Sequence, residues 1–346
     1  MKIKGVSYDV GRVMGTDWRP LFDIKVIRRE LGIIKNDLHC NAVRICGLEI
    51  RRLTLAAEEA LKIGLDVWFS PEIWDKGMYK TYSYIAKASE AAEKLRLQWP
   101  DKVVFVVASE LTLFMKGIVN GGTFLERLSN PSLWENIKKG AHNKPLREFL
   151  SKAVDRVRRE FRGKITYASL IWEGVDWDIF DIIGVDHYME ERIRGRYIEM
   201  LKPLSSFRKP VVITEFGFRT FKGADKAGAV GLGNADYFSL FLHSLPLVGV
   251  FFRPRLKVIH ERDEALQARN LTAQLKLLDG AGVDGGFIMT FVSPIYPYDE
   301  EAAYDLDADN FSLVKSFSAW KRGTTYPDMP WEPKEAFYSV AEYYNK

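Results

Sequence analysis

The chain has 346 residues, 47% of them hydrophobic and 28% charged, with a formal net charge of +4. That balance excludes a disordered chain and supplies a large core. The charge is weak, and its basic clusters (Arg28-Arg29, Arg51-Arg52, Arg156 to Arg159) fall in helix-patterned segments that also carry Glu and Asp, so no concentrated stripe for nucleic acid is expected.

The first predicted element is a strand, Ile3–Tyr8, entered directly from MKIKG with no apolar leader of signal-peptide length. A helix follows over Asp23–Leu38, with Ile27, Leu31, Ile34 and Leu38 at helical spacing. Ala42–Ile45 reads as the second strand and Leu48–Ile63 as a helix stopped by Gly64. Asp66–Ser70 is the third strand, followed by a long helix from about Tyr79 to Gln98. Val103–Ala108 is the fourth, and Pro145–Phe161 a helix with proline near its start. Ile165–Leu170 and Ile182–Asp186 are the fifth and sixth, so close together that only one short helix fits between them. Arg192–Leu204 is expected to be helical, Val211–Thr214 the seventh strand, Asp263–Asp279 a helix, Gly286–Phe291 the eighth strand, and Pro333–Tyr343 a closing helix.

Eight short apolar strands alternating with helices predict a single domain over 1–346, an eight-stranded (β/α) TIM barrel. A doubly wound open sheet is the alternative, but GVSYDVGRVMG lacks the glycine spacing of a dinucleotide site. Extra sequence gathers after strands four, seven and eight, at 111–144, 219–261 and 292–330. The 219–261 insertion holds the apolar stretch Tyr237–Phe252, which predicts a lid or partner surface. No run of eighteen apolar residues suggests a membrane span. Two cysteines, Cys40 and Cys46, are compatible with one disulfide but not with a secreted framework. The expectation is a cytoplasmic protein. Abundant Lys, Arg and Glu beside three Gln (Gln98, Gln267, Gln274) point to a thermophilic source.

Two strands run directly into a carboxylate: VVFVVASE ends at Glu110, and PVVITEFGF carries Glu215. A β-branched run this apolar is buried on both faces, so a charge at its end marks the C-terminal rim, where barrel active sites are built. Two carboxylates there are the minimum equipment for cleaving a glycosidic bond: one attacks the anomeric carbon, the other protonates the leaving oxygen. A blander reading leaves both as strand-end residues paired with Lys or Arg. Glu173, Asp186, His187, Glu72 and Asp9 also follow apolar strands and are candidates for substrate binding. Trp74 and Trp172 could stack on sugar faces or belong to the core. Metal hydrolases are disfavoured, because the chain's five histidines form no paired ligand motif. A phosphate site would want glycine-rich turns where Glu215 stands, and no Gly-x-Ser-x-Gly elbow occurs. The expectation is no metal, no cofactor and a carbohydrate partner, with the oligomeric state left open.

The strand ends resemble those of the clan A glycoside hydrolases, retaining enzymes with an acid/base glutamate after strand four and a nucleophile glutamate after strand seven. The resemblance implies a retaining β-glycoside hydrolase with Glu215 as nucleophile and Glu110 as acid/base. It further implies that Arg44 in AVRI holds the nucleophile and that Tyr188 in DHY contacts it. Two departures stand out: Ser109 occupies the place of an asparagine that binds the sugar 2-hydroxyl, and Phe291 that of a tryptophan flooring the sugar site. The stretches NAVRI, VVFVVASELTLF, ITYASL, EGVDWDIFDIIGVDHY, ITEFGF and YPDMPWEPKEAF also resemble a barrel family labelled abortive (phage) infection proteins. Ser109 and Phe291 favour a second reading, a barrel that binds carbohydrate or a protein partner, in phage defence, without hydrolysing it.

Overall fold

The apolar runs form parallel strands because each carries β-branched or aromatic residues on both faces, one set for the barrel interior and one for the helices outside. In the computed structural model, which describes residues 1–13, 16–229, 234–245, 249–318 and 321–346, the strands are β1 (Ile3–Asp9), β2 (Ala42–Gly47), β3 (Asp66–Pro71), β4 (Val103–Ser109), β5 (Lys164–Leu170), β6 (Ile183–Asp186), β7 (Val211–Phe216) and β8 (Gly285–Ile288). They pair in sequence order, and β1 closes on β8 with Ile3 opposite Gly285 and Val6 opposite Ile288. The result is the expected closed TIM barrel.

The main outer helices are α1 (Ile24–Asn36), α2 (Ile50–Lys62), α3 (Met78–Gln98), α4 (Asn143–Glu160), α5 (Glu264–Gly280) and α6 (Glu335–Tyr344). α1 starts where Asp23 accepts from the Lys25 N–H, a side-chain N-cap, and buries Ile27, Leu31, Ile33 and Ile34. α1 also carries a buried carboxylate, Glu30. It accepts from Tyr8, from Arg19 at 3.0 Å and from Trp331 Nε1 at 2.8 Å, tying the C-terminal segment to β1. Cys40 and Cys46 are free, buried thiols.

Three elements depart from expectation. Residues 192–204 are not an α-helix but 3₁₀ turns at Arg194–Arg196 and Glu199–Phe207, the second containing Pro203. A proline there lacks the N–H of an α turn and crowds the preceding carbonyl. β8 ends at Ile288 rather than continuing to Phe291. The segment 111–144 is not plain loop: it folds into Leu111–Phe114, Phe124–Ser129 and Pro131–Lys138.

The insertion after β7 is partly anchored. Ala235, Leu240 and Leu256 pack with Ile295 and Leu306 of the β8 loop, against Trp18 and Tyr296. Phe238, Phe241, Phe251 and Phe252 are exposed. Residues 230–233 and 246–248, within the stretch expected to form a lid, lie outside the described residues. Among the described residues, no helix is long and apolar enough to cross a membrane.

The lower half of the barrel interior is apolar, filled by Ala42, Trp68, Val106, Ala168, Ile182, Val212 and Phe287. Gly5 is required at this level, because a Cβ there would lie 2.4 Å from the Phe287 ring. Gly5→Ala is therefore expected to destabilise the chain by about 1–3 kcal/mol, as overpacked cores do, measured by urea unfolding. An unchanged midpoint would show that the ring can move aside.

Candidate functional site

Above the apolar layer the interior turns polar on five of the strands, β1, β2, β3, β6 and β7, which carry buried Ser7, Arg44, Ser70, Asp186 and Thr214. Two register shifts enrich this layer. On β4 an extra residue lies between Val106 and Ser109 relative to β5. On β7 another lies between Ile213 and Glu215 relative to β6. Such bulges re-aim side chains, and these let Ser109 with Glu110, and Thr214 with Glu215, face the same pocket.

Arg44 is fully buried at the centre. Its Nη1 donates to Glu215 Oε1 at 2.7 Å and to the Thr214 carbonyl at 3.1 Å. Its Nε reaches Ser70 Oγ at 3.2 Å, and its Nη2 reaches Ser109 Oγ at 3.3 Å and Glu72 Oε1 at 3.4 Å. Tyr188 donates to the other oxygen of Glu215 at 3.0 Å. Both oxygens of Glu215 thus have a donor in place, and one donor is a cation.

Glu110 is presented differently. It follows β4 in the left-handed region, φ 44° and ψ 44°, where a side chain costs about 1–2 kcal/mol. Its N–H donates to the Ala168 carbonyl at 2.9 Å, and its own carbonyl accepts from Leu113 and Phe114, each at 2.9 Å. Those bonds hold the backbone there. Among the described residues nothing donates a hydrogen bond to its carboxyl group. Burial, then the charges of Asp186, Glu215, Glu173 and Glu72, push its pKa well above the ordinary carboxylate range. One carboxylate oxygen each from Glu110, Asp186 and Glu215 lies within 4.8 Å of the others. Three carboxylates so disposed could approach a divalent cation, but Arg44 already brings a positive charge to Glu215, and Asp186 accepts two hydroxyls, from Thr214 at 2.5 Å and Ser109 at 3.4 Å.

Of the remaining candidates, Asp9 sits beneath the pocket, bonded to the N–H of Gly11 and paired with Arg12. Arg12 in turn donates to Glu72 Oε2 at 3.0 Å, and its guanidinium lies over Trp18 at 4.8 Å. Nothing periodic marks Arg12 in GRVMGTDWRP, so the sequence alone does not single it out. It joins the chain Asp9–Arg12–Glu72–Arg44–Glu215. Burial raises the pKa of Glu72, against the pull of both arginines.

Four candidates lie elsewhere. Glu173 turns behind the strands to accept from Tyr167 at 2.9 Å and from the N–H groups of Thr112 and Leu170, each at 3.0 Å, holding the Glu110 loop from outside. His187 points away from the pocket, as alternation between Asp186 and Tyr188 requires: it stacks on Tyr197 at 4.0 Å, and burial brings its pKa down to about 4. Trp172 meets Trp134 and His142 edge-on. Phe291 is fully buried against Tyr8 and Trp331 in the outer core. The half-buried residue at the end of β8 that faces the pocket is Met289, whose Sδ lies 3.9 Å from Arg12 Nη2. Trp74 stacks on Phe114 at 4.1 Å and meets Trp18 edge-on, so it borders the site with one face covered.

No family model matches the sequence, and no curated protein does. The resemblance to abortive infection proteins finds no support in these comparisons. Solved structures do match. A GH113 β-1,4-mannanase superposes with a TM-score of 0.62 at 14% identity, covering 99% of both chains. The GH113 β-mannanase AaManA from Alicyclobacillus acidocaldarius, in complex with ManMIm, gives 0.57 at 16% identity, covering 99% of this chain and 97% of that one. β-Glucuronidase 2 of Bacteroides uniformis gives 0.58 at 15% identity, over 100% of this chain and 35% of that one. Superpositions at identities this low show the fold alone, a closed eight-stranded TIM barrel.

The raised pKa of Glu110 has a consequence for stability. The unfolded chain releases this proton near 4.5, whereas the folded chain keeps it to higher pH. As pH rises through that window the unfolded state binds fewer protons, so Glu110 lowers stability progressively. Glu110→Gln should therefore melt above the wild type at neutral pH, with the gap closing toward pH 4, as followed by circular dichroism. A gap that widens in acid would reverse the assignment.

Proposed function

We propose that the chain is a retaining β-glycoside hydrolase in which Glu215 is the nucleophile and Glu110 the acid/base. The observation that carries this reading is the proximity of their carboxylate oxygens, within 4.8 Å. Retaining pairs stand roughly 5–5.5 Å apart, whereas inverting pairs need roughly 6.5–9.5 Å to admit a water.

The two environments suit the two roles. Arg44 and Tyr188 hold Glu215's oxygens, with a cation beside them, as an attacking carboxylate requires. Glu110 has no donor on its carboxyl group among the described residues and a raised pKa, so it keeps a proton to give. In the first step a Glu215 oxygen bonds to the anomeric carbon, the bond to the leaving oxygen breaks, and Glu110 passes its proton to that oxygen. In the second, the Glu110 carboxylate takes a proton from water as the water oxygen attacks the same carbon and Glu215 departs. Each step inverts the centre, so the product keeps the original configuration.

The charge of the pocket favours a neutral sugar. Glu72, Glu110, Asp186 and Glu215 face it, with Asp9 beneath, against Arg12 and Arg44, which already bond carboxylates. Arg219, in the loop after β7, is bonded to Asp309 at 2.9 Å. A uronate would bring another negative charge into this excess. Of the two activities named for the similar structures, the mannanase's sugar fits this field and the glucuronide does not.

Aryl β-mannosides, β-glucosides and manno-oligosaccharides should be hydrolysed with retention, read by proton NMR of the first-formed sugar, while the β-glucuronide should be turned over far more slowly. Glu215→Ala should lose nearly all turnover, and azide should restore part of it as the opposite anomer. Glu110→Ala should fall by about 10²- to 10⁴-fold on substrates with poor leaving groups and much less on activated ones. An inverted first product, or full activity in Glu215→Ala, would remove the mechanism. Binding of glycans without turnover of any of them would favour the non-hydrolytic reading.

A further inference from the structure

Asp186 ends β6, is 3% exposed, and stands in neither role assigned above. Its two oxygens accept from hydroxyls on two other strands. Thr214 Oγ1 donates to Oδ1 at 2.5 Å and Ser109 Oγ to Oδ2 at 3.4 Å. Those two residues immediately precede Glu215 and Glu110, each at the register shift that turns its glutamate into the pocket. Ser109 is also the residue that Arg44 Nη2 touches at 3.3 Å, so the arginine and Asp186 share it. One carboxyl group therefore braces both catalytic strands at the level of the reacting atoms, on a strand that supplies neither glutamate.

We infer that Asp186 is a positioning residue of the reaction centre: through Thr214 and Ser109 it ties the two residues that precede Glu215 and Glu110, and its carboxyl group stands beside both glutamates. The inference rests on the hydrolase reading for its purpose, but not for its geometry.

The charged and titratable groups around Glu110 come from β3, β5, β6 and β7 and the segments just beyond them. Glu72 comes from the end of β3, Tyr167 from β5 and Glu173 from just beyond it. Asp186 and Tyr188 come from β6 and the segment after it, and Glu215 from β7. Arg44 on β2 bonds Glu215 and Glu72 but makes no bond to Glu110, and it moderates Asp186. Among the charges that raise Glu110's pKa, that of Asp186 is the largest. Burial and the charge of Glu215 push the pKa of Asp186 itself well above the ordinary carboxylate range, a rise that Arg44 and the Thr214 hydroxyl moderate. Glu110 and Asp186 accordingly titrate together, and removing the charge of one must move the other.

The test is Asp186→Asn, which keeps shape and removes charge. Carbon-13 NMR of labelled Glu carboxyls, with the Glu110 signal identified by its loss in Glu110→Gln, follows the proton directly without any substrate. The Glu110 midpoint should fall by about one pH unit or more in Asp186→Asn. The alkaline limb of the pH–rate profile on an aryl glycoside should fall with it. Thr214→Val, which removes the donor that favours ionised Asp186, should move the midpoint the same way by less, and it serves if Asp186→Asn does not fold. A Glu110 midpoint unchanged in folded Asp186→Asn, or in Thr214→Val where Asp186→Asn fails to fold, overturns the inference even if the enzyme is a retaining hydrolase. A midpoint that falls in a protein cleaving no glycoside would uphold it while removing the hydrolase reading.

Discussion

The pocket depends on one buried guanidinium. Arg44 reaches from β2 to partners on or just beyond β3, β4 and β7, and a planar fork of five N–H donors is what makes that reach possible. A lysine could offer charge to one of these partners but could not hold several in fixed directions. A guanidinium with no exposure is tolerated only where carboxylates and carbonyls replace the water it has lost. Its presence thus constrains its neighbours: Glu215 and Glu72 must be acidic, Ser70 and Ser109 must accept, and the Thr214 carbonyl must be turned inward. The bulge on β7 meets two of these demands together, the Glu215 carboxylate and the Thr214 carbonyl, since it brings consecutive residues to one side of the strand.

This arrangement divides two glutamates of the same chemistry into different groups. Glu215 is bracketed by Arg44 and Tyr188. Glu110 is fixed by its backbone, through Ala168, Leu113 and Phe114, and among the described residues its carboxyl group has no donor. A carboxyl group in that condition favours its proton, and the surrounding acids strengthen the preference. The asymmetry is paid for in stability at neutral pH and in a left-handed backbone at Glu110, the kind of local cost that functional sites retain.

The barrel was legible because it is written in period and length: eight short apolar runs, each followed by a helical pattern. The strand-end carboxylates were legible for the same reason, as charges where apolar runs stop. What escaped were features of register and of space. His187 and Tyr188 are adjacent in sequence, but the pleat sends the histidine to Tyr197 and the tyrosine to Glu215. Strict alternation from Val212 and Thr214 would turn Glu215 outward, and the extra residue that corrects this leaves no mark in PVVITEFGF. The end of β8 was placed three residues late, which put Phe291 at the pocket when Met289 holds that position. Arg12 lies in a loop, and only folding brings it between Asp9 and Glu72. Residues 192–204 have helical spacing, but Pro203 limits the backbone to 3₁₀ turns.

Ser109 joins these threads. An asparagine there would carry an amide long enough to extend into the pocket, whereas the serine hydroxyl is short and already engaged, accepting from Arg44 and donating to Asp186. A hydroxyl has one proton to donate, so while it serves Asp186 it has none for a sugar. The side chain that gains by this is Asp186, which receives a second donor besides Thr214 while lying close to two other carboxyl groups. Replacing an amide by a hydroxyl therefore does more than shorten a side chain: it moves a hydrogen-bond donor from the ligand side of the pocket to its supporting layer. The residue that looks like a defect when the strand is read alone becomes, in the barrel, the link between the arginine that holds one glutamate and the aspartate that bears on the other.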